Sequence, residues 1–313
     1  MAVTHTKIAW CDSVWNPLRG CSRVSDGCRF CYAERQAGRF SAPGYPYEGL
    51  VRKTSKGWTW TGEVRFIEKD LTLPLRWKKP RRIFVASMSD PFHEAVPDEW
   101  LDQMFAVMAL APQHVFQVLT KRPARMHAYF GAHHREFPWG RINEAALRLQ
   151  RGRVHHDARI PFPAMRPLPN VWLGCSVENQ STADERIPWL LRTPAAVRFL
   201  SAEPLLQHVL MRWWLEGNDS SGHRPDWVVC GGESGPKARP CNLAWLRGVV
   251  QQCHAAGVAC FVKQLGSNPY EEYPPHHGRS LPWPFFITLK DRKGAAIEEW
   301  PAELRVQQWP RGA

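Results

Sequence analysis

Three cysteines in the first tenth of the chain carry the clearest chemistry: Cys21-Ser-Arg-Val-Ser-Asp-Gly-Cys28-Arg-Phe-Cys31-Tyr-Ala-Glu34. The Cys28/Cys31 interval lets two thiolates approach one metal centre, and Cys21 reaches back across a glycine-containing loop. Three thiolates are one short of a closed structural zinc site. They are also one short of the four cysteines of a conventional electron-transfer cluster. On a [4Fe–4S] cluster, three thiolates leave one iron open to a substrate or cofactor. Zinc stays open as an alternative, with Cys11 or His5 completing the ligand set. A second cysteine pair at metal-ligand spacing is missing, which weakens a zinc ribbon. Cys175, Cys230, Cys253 and Cys260 sit in or beside apolar segments and read as small buried hydrophobes.

Such a loop needs a scaffold, and the rest of the sequence supplies a repeating one. Short, nearly continuous apolar runs end in polar or small residues at Ile83–Asp90, Val115–Lys121, Val171–Glu178, Val197–Glu203, Trp227–Glu233 and Ala259–Lys263. A first run lies around Val14–Asn16. Their shape fits strands buried on both faces of a parallel sheet. Between them, Pro97–Leu110, Asn179–Leu191 and Asn242–Ala256 show helical spacing, the last opening on an Asn cap and closing at Gly257. About seven βα units predict an α/β fold, a complete or partial (β/α) TIM-type barrel. In such barrels chemistry gathers at the C-terminal strand ends. Those ends carry Asp90, Lys121, Glu178, Glu203, Glu233 and Lys263. The expected organisation is one barrel-like domain over 1–266, interrupted by a Trp/Lys-rich insertion at 41–80 and an excursion at 130–170. A C-terminal extension, 267–313, is expected to pack on the barrel.

With 313 residues, 44% hydrophobic and 22% charged, the chain has a globular balance that excludes disordered, collagen-like and coiled-coil classes. Nine cysteines, an odd number clustered only at the start, disfavour a secreted disulfide framework and favour a reduced cytoplasmic setting. The N-terminal segment lacks a signal-peptide pattern. The longest strongly apolar stretch, near Met104–Ala111, is far short of a bilayer span. A soluble cytoplasmic protein with no membrane partner is expected. A net charge of +12 attracts phosphate-rich partners.

Several motifs together carry a resemblance. They are Trp15-Asn-Pro with Gly20-Cys21, Gly27-Cys28, Cys31-Tyr-Ala-Glu34, Ser87-Met-Ser-Asp90 and Gln117-Val-Leu-Thr-Lys-Arg-Pro123. Ser176-Val-Glu-Asn179, Ala202-Glu-Pro-Leu205 and Gly231-Gly-Glu-Ser-Gly235 complete the set. It resembles the bacterial and phage three-cysteine-motif family, a phage-protein family of unknown function, over Ile8 to Gly266. That family is in turn distantly similar to radical S-adenosylmethionine (SAM) enzymes. The usual radical-SAM motif has three residues between its first two cysteines, whereas here there are six; the second interval, with Phe30 before Cys31, agrees.

The resemblance implies that Cys21, Cys28 and Cys31 hold three irons of a [4Fe–4S] cluster while the fourth takes SAM. Reductive cleavage of SAM to a 5′-deoxyadenosyl radical would then act on substrate. On that reading Ser87, Ser89 and Asp90 meet the methionyl ammonium, and Ser176 and Glu178 bond the ribose hydroxyls. Gly231 and Gly232 let backbone approach the adenine or the substrate. Glu203 and Glu233 orient substrate or handle protons, and Lys121, Arg122 and Lys263 bind an anionic group. The implied partners are an electron donor such as flavodoxin or ferredoxin, a nucleic acid or nucleotide-containing substrate, and an accessory protein that completes the site.

Plainer readings compete at each position. Asp90 and Glu178 could be helix caps, Gly231-Gly232 a tight turn, and Lys121-Arg122 a solvated surface pair. Trp58, Trp60 and Trp77, interleaved with Lys53, Lys56, Lys78, Lys79, Arg81 and Arg82, suit nucleic-acid stacking or the packing of a lid on the barrel. His133-His134 and His155-His156 could bind metal or stay solvated. Two other functions therefore remain in view: a zinc-bearing nucleic-acid-binding protein without catalysis, and a barrel hydrolase using Asp90, Glu203 or Glu233 with a divalent metal.

Overall fold

The computed structural model describes residues 6–131, 138–151, 167–272 and 284–311. The histidine pairs at 133–134 and 155–156 lie outside the described residues, as do parts of the 130–170 excursion and of the C-terminal extension.

Seven strands form one sheet: β1 (Ser13–Trp15), β2 (Arg82–Val85), β3 (Val115–Thr120), β4 (Val171–Ser176), β5 (Val197–Ala202), β6 (Trp227–Gly231) and β7 (Ala259–Gln264). They stand in chain order with β1 and β7 at the two ends. The recorded pairings are parallel: Ser13 faces Ile83, Ile83 faces Phe116, Phe199 faces Trp227, and Val228 faces Cys260. Chain order with parallel pairing is the winding of a (β/α) barrel, here in its partial, half-barrel form. Every residue of β4 and β6 is buried. Two-sided burial explains why these segments read as continuous apolar runs rather than alternating ones.

The helices follow from their termini. Helix α1 (Tyr32–Arg39) begins directly after Cys31. Helix α2 (Asp98–Ala109) starts behind the extended Pro97 with Asp98 and Glu99 in its first turn, and buries Leu101, Met104, Phe105 and Met108. Helix α3 (Pro123–Phe130) carries Pro at its start and ends at Gly131, whose φ of +97° is the left-handed conformation glycine adopts without a Cβ clash. Helix α4 (Trp139–Arg151) occupies part of the region expected as an excursion, and Arg141 anchors it to Asp102 at 2.9 Å. Helix α5 (Gln180–Arg192) is capped by Asn179, whose Oδ1 accepts from Thr182 N at 2.9 Å. Helix α6 (Leu243–Ala256) has Asn242 Oδ1 accepting from Ala244 N at 2.9 Å, and closes at Gly257 with φ +63°.

The chain divides into two compact units: Met1–Val24, Cys31–Gly174 and Arg192–Val197 form one, and Ser25–Phe30, Cys175–Leu191 and Arg198–Ala313 the other. The first is centred on Trp15, Phe92, Phe105 and Phe116, all nearly inaccessible. Its insertion contains an antiparallel hairpin, Val51–Thr54 with Gly57–Trp60. Trp60 is buried with Ala33 and Ala37 of α1, and Trp58 packs so closely that a Cβ on Gly38 would stand 2.4 Å from its ring. These two tryptophans therefore pack the hairpin on α1. The second unit is centred on Trp227, Phe199 and Trp300. There the C-terminal segment returns along β7: Val262 N donates to Val306 O at 2.8 Å, and Trp309 stacks on Trp227 at 5.0 Å. Among the described residues, no helix is long and apolar enough to cross a membrane.

Candidate functional site

The first unit holds Cys21 and Cys31 through the loop that follows β2. Gly20, at φ +94°, forms a parallel bridge with Ser89, and Ser89 Oγ donates to Gly20 O at 2.5 Å. A Cβ at Gly20 would stand 2.1 Å from the Glu63 carbonyl oxygen, so only glycine can lead into Cys21 along this path. On the other flank, Tyr32 Oη donates to Ser87 O at 2.6 Å. Ser87 Oγ donates in turn to Asn16 Oδ1 at 3.1 Å. Both sulfur-bearing residues pack against the apolar wall of Ala33, Ala37, Met88 and Trp60. Glu34, almost fully buried, takes Arg23 at 2.9 and 2.6 Å and Trp60 N at 3.1 Å. That clamps the chain just after Cys21 to the helix just after Cys31.

Arg122 is the hub of this half. It is 6% exposed, and its Nε donates to Glu94 at 2.9 Å. Nη1 reaches Asp90 Oδ2 at 3.0 Å and Cys21 Sγ at 3.9 Å, while Nη2 donates to Ser22 Oγ at 2.7 Å and Ser22 O at 3.2 Å. Burial opposes the charge of Arg122, but the negative groups at Asp90, Cys21 and Glu94 outweigh it and push its pKa above the ordinary value. Asp90 is fully engaged: Oδ1 accepts from Thr120 Oγ1 at 2.6 Å and Phe92 N at 3.0 Å, and Oδ2 also accepts from Lys121 N at 3.0 Å. His93 Nδ1 accepts from Ala95 N at 3.1 Å, so the ring proton sits on Nε2, which donates to Ser22 Oγ at 2.9 Å. Burial, joined by the Arg122 charge, holds His93 below the ordinary histidine value and therefore neutral.

The second unit holds Cys28 on a single 3-10 turn, Asp26–Cys28. Ser25 Oγ donates to Glu178 Oε1 at 2.9 Å. Glu178 is inaccessible and paired with Arg186 Nη1 at 3.2 Å, and that same nitrogen donates to Ser176 O at 2.9 Å. Glu233 is bound through both oxygens by Arg239, at 2.7 Å from Nη2 and 2.9 Å from Nε. Arg239 then donates from Nη1 to Asp26 O at 2.9 Å and lies over the Phe30 ring at 5.5 Å. Each of these two carboxylates thus ends on the Cys28 turn, Glu178 directly and Glu233 through Arg239.

The remaining expected residues are placed as follows. Glu203, directly after β5, pairs with Lys263 in β7 at 2.5 Å, both partly exposed. Gly231 and Gly232 meet the chain's own backbone: a Cβ at Gly232 would stand 2.2 Å from Leu265 O, and one at Gly231 3.0 Å from Gln264 O. Ser176 is buried at the end of β4. Lys121 is half-buried directly after β3. Cys230 and Cys253 are buried, and the adjacent Cys260 thiol together with that burial pushes both pKa values up; burial alone pushes Cys241 up to about 12. These are neutral core thiols, poor metal ligands.

Cys21, Cys28 and Cys31 are half-buried. Among the described residues, no three His, Cys, Asp or Glu side chains are gathered so as to hold a metal ion. A [4Fe–4S] cluster takes each thiolate on a different iron, and soft, half-buried thiols with a guanidinium beside one sulfur suit that demand chemically.

Sequence reasoning passed over Arg186, Arg239, His93 and Glu94, and read Arg122 as an anion ligand or half of a solvated surface pair, whereas it is buried. A signal existed for the arginines, since a buried carboxylate requires a nearby cation.

Two solved structures are similar in fold at low identity. A spore photoproduct lyase complexed with dinucleoside spore photoproduct aligns with TM-score 0.44 and 10% identity, over 97% of this chain and 74% of that one. A point mutant of spore photoproduct lyase aligns with TM-score 0.44 and 9% identity over the same shares. No curated protein matches the sequence. A family model does, over residues 5–300, and the chain belongs to that family, described as protein of unknown function DUF5131.

Proposed function

We propose that the chain is an iron–sulfur enzyme of the radical-SAM type, in which Cys21, Cys28 and Cys31 bind a [4Fe–4S] cluster and leave one iron for SAM. The observation that carries this reading is the buried Arg122. One guanidinium is shared among Cys21 Sγ, Ser22, Asp90 and Glu94. A cation withdrawn from water and aimed at a half-buried sulfur favours the deprotonated, ligating form of that sulfur. When bound, the cluster and SAM would supply one-electron, hydrogen-abstracting chemistry.

The protein's part is to hold the ligands, and its polar strand ends serve that task. Asp90 fixes Arg122, Ser89 fixes the lead into Cys21, and Tyr32 fixes the exit from Cys31. Glu178 and Glu233 hold the Cys28 turn. These are positioning residues. In the Glu203–Lys263 pair both side chains keep partial access to solvent, and it is the candidate for orienting substrate.

Anaerobic reconstitution followed by iron, sulfide and zinc analysis tests the reading, with EPR of the reduced protein before and after SAM. About four irons per chain and a signal altered by SAM are expected. Cys28→Ser should lose the cluster in a folded protein, and Cys253→Ser should keep it. Stoichiometric zinc without sulfide, or iron lost in Cys253→Ser, would overturn the assignment.

A further inference from the structure

The C-terminal end of α1, the loop after it and the adjoining hairpin, all within the first unit, carry exposed aromatic rings and cations. Phe40 and Tyr45 are 40% and 53% exposed, yet they stack on each other with centroids 6.5 Å apart and planes 25° from parallel. Isolated exposed rings are ordinary on protein surfaces. A stacked pair this exposed is a platform on which a further flat ring can continue the stack.

The cations stand beside it. Arg39 ends α1 immediately before Phe40, and Arg52, Lys53 and Lys56 lie in the hairpin; all four are exposed. Lys53 is paired across the ladder with Trp58, so the two share a face. Trp58 packs against Gly38 of α1, so the strand face that Lys53 shares is the one turned toward that helix, which ends at Arg39 just before Phe40. Among the described residues none of the four cations makes an ion pair. Trp58 and Trp60, by contrast, are used in packing and do not belong to this surface.

We propose that this ledge binds single-stranded nucleic acid, with Phe40 and Tyr45 stacking on bases and Arg39, Lys53 and Lys56 following the phosphates. Ring faces can be met only by bases that are unstacked, which selects single strands over duplexes. Stacking and phosphate contact are both tolerant of sequence. The ledge lies within one compact unit and goes beyond the cluster reading without resting on it.

The test is fluorescence anisotropy of the full chain with labelled oligo-dT and oligo-U of roughly 16 nucleotides, over rising salt. Binding is expected at micromolar protein and should weaken linearly in log salt, by about 0.7 per phosphate contact. Phe40→Ala with Tyr45→Ala should weaken binding at least tenfold or so while leaving the salt slope nearly unchanged. Arg39→Ala, Lys53→Ala and Lys56→Ala combined should weaken binding and flatten the slope. The two oligonucleotides distinguish DNA from RNA as the natural ligand. All substituted residues are exposed, and an unchanged thermal midpoint verifies folding. No binding at low salt, or binding indifferent to the ring substitutions, overturns the proposal. So does equal binding of duplex or of inorganic polyphosphate. Loss of the cluster in Cys28→Ser should leave oligonucleotide affinity unchanged, so this result and the cluster result fail independently.

Discussion

Gly27 lies one residue before Cys28, and the space its side chain would need is filled by Glu178. A Cβ there would stand 2.3 Å from Oε1. Gly27→Ala must therefore push the Glu178 carboxylate off Ser25 or off Arg186, breaking a pair that is buried on both sides. Such disruptions cost on the order of 3 kcal/mol, and the Cys28 turn would lose its anchor. Gly140 offers the contrast: it lies in α4 with open space where a Cβ would go. Gly140→Ala should be neutral or stabilise by up to about 1 kcal/mol. Denaturant melts of the two variants, with iron content after reconstitution, check the pair. Equal stability for both would mean that Glu178 does not hold the turn. The same residues mark what was legible. Polar strand ends at Asp90, Glu178 and Glu233 were visible in the sequence, and so was their proximity to the cysteine loop in a barrel. Their partners were not. Arg186 and Arg239 lie 8 and 6 residues from their carboxylates and were within reach of a charge-balance argument. Arg122 lies 32 residues from Asp90, and only the side-by-side placement of β2 and β3 brings them together.

Elements divide along similar lines. Helices α2, α5 and α6 announce themselves because acidic first turns, Asn caps and terminal glycines act locally, in the residues at the ends. Helix α4 did not, because its buried side is a narrow stripe, Ile142 and Ala146, within a polar and basic segment. What fixes it is tertiary: Arg141 to Asp98 and Asp102 of α2. The C-terminal segment is another element set by its partner. Gln308 N donates to Cys260 O at 2.8 Å, and Trp227 Nε1 donates to Gln308 O at 2.8 Å. The outer edge of β7 is thereby covered, which removes a template for unwanted strand pairing. Trp309→Ala would uncover Trp227 and Phe261, whose rings it meets at 5.0 and 5.5 Å. A loss of about 2 to 3 kcal/mol is expected in equilibrium unfolding, together with faster aggregation on heating. A melt indistinguishable from that of the parent chain would show that the segment is only loosely held.

Across the whole molecule, charge sets how stability responds to acid. The chain already carries +12 before any of its 13 histidines protonate, so each added proton works against existing repulsion. Two histidines in the first unit have a more specific cost. His93 and His114 are buried, and burial holds both below the ordinary value of 6.5. For His114 the Arg81 charge adds to burial, while backbone carbonyls at Pro74 and Trp77 oppose it. In the unfolded chain both would take a proton near the ordinary value; in the folded chain they resist until lower pH. The unfolded state thus binds more protons in that interval, and stability falls as pH falls through it. The stabilisation is fully present above the ordinary histidine range and is lost below it, by at most about 1.4 kcal/mol per pH unit for each such group. Denaturant midpoints measured between about pH 7 and pH 5 should decline steadily. His114→Phe fills the same pocket, beside Phe116 and Trp77, with a ring that cannot titrate. It should lower stability modestly at neutral pH through the lost bond to Pro74 O, yet show a shallower decline into acid. Parallel declines for parent and variant would mean that His114 protonates as easily in the folded protein as in the unfolded chain, and that His93 and repulsion among the surface cations govern the response.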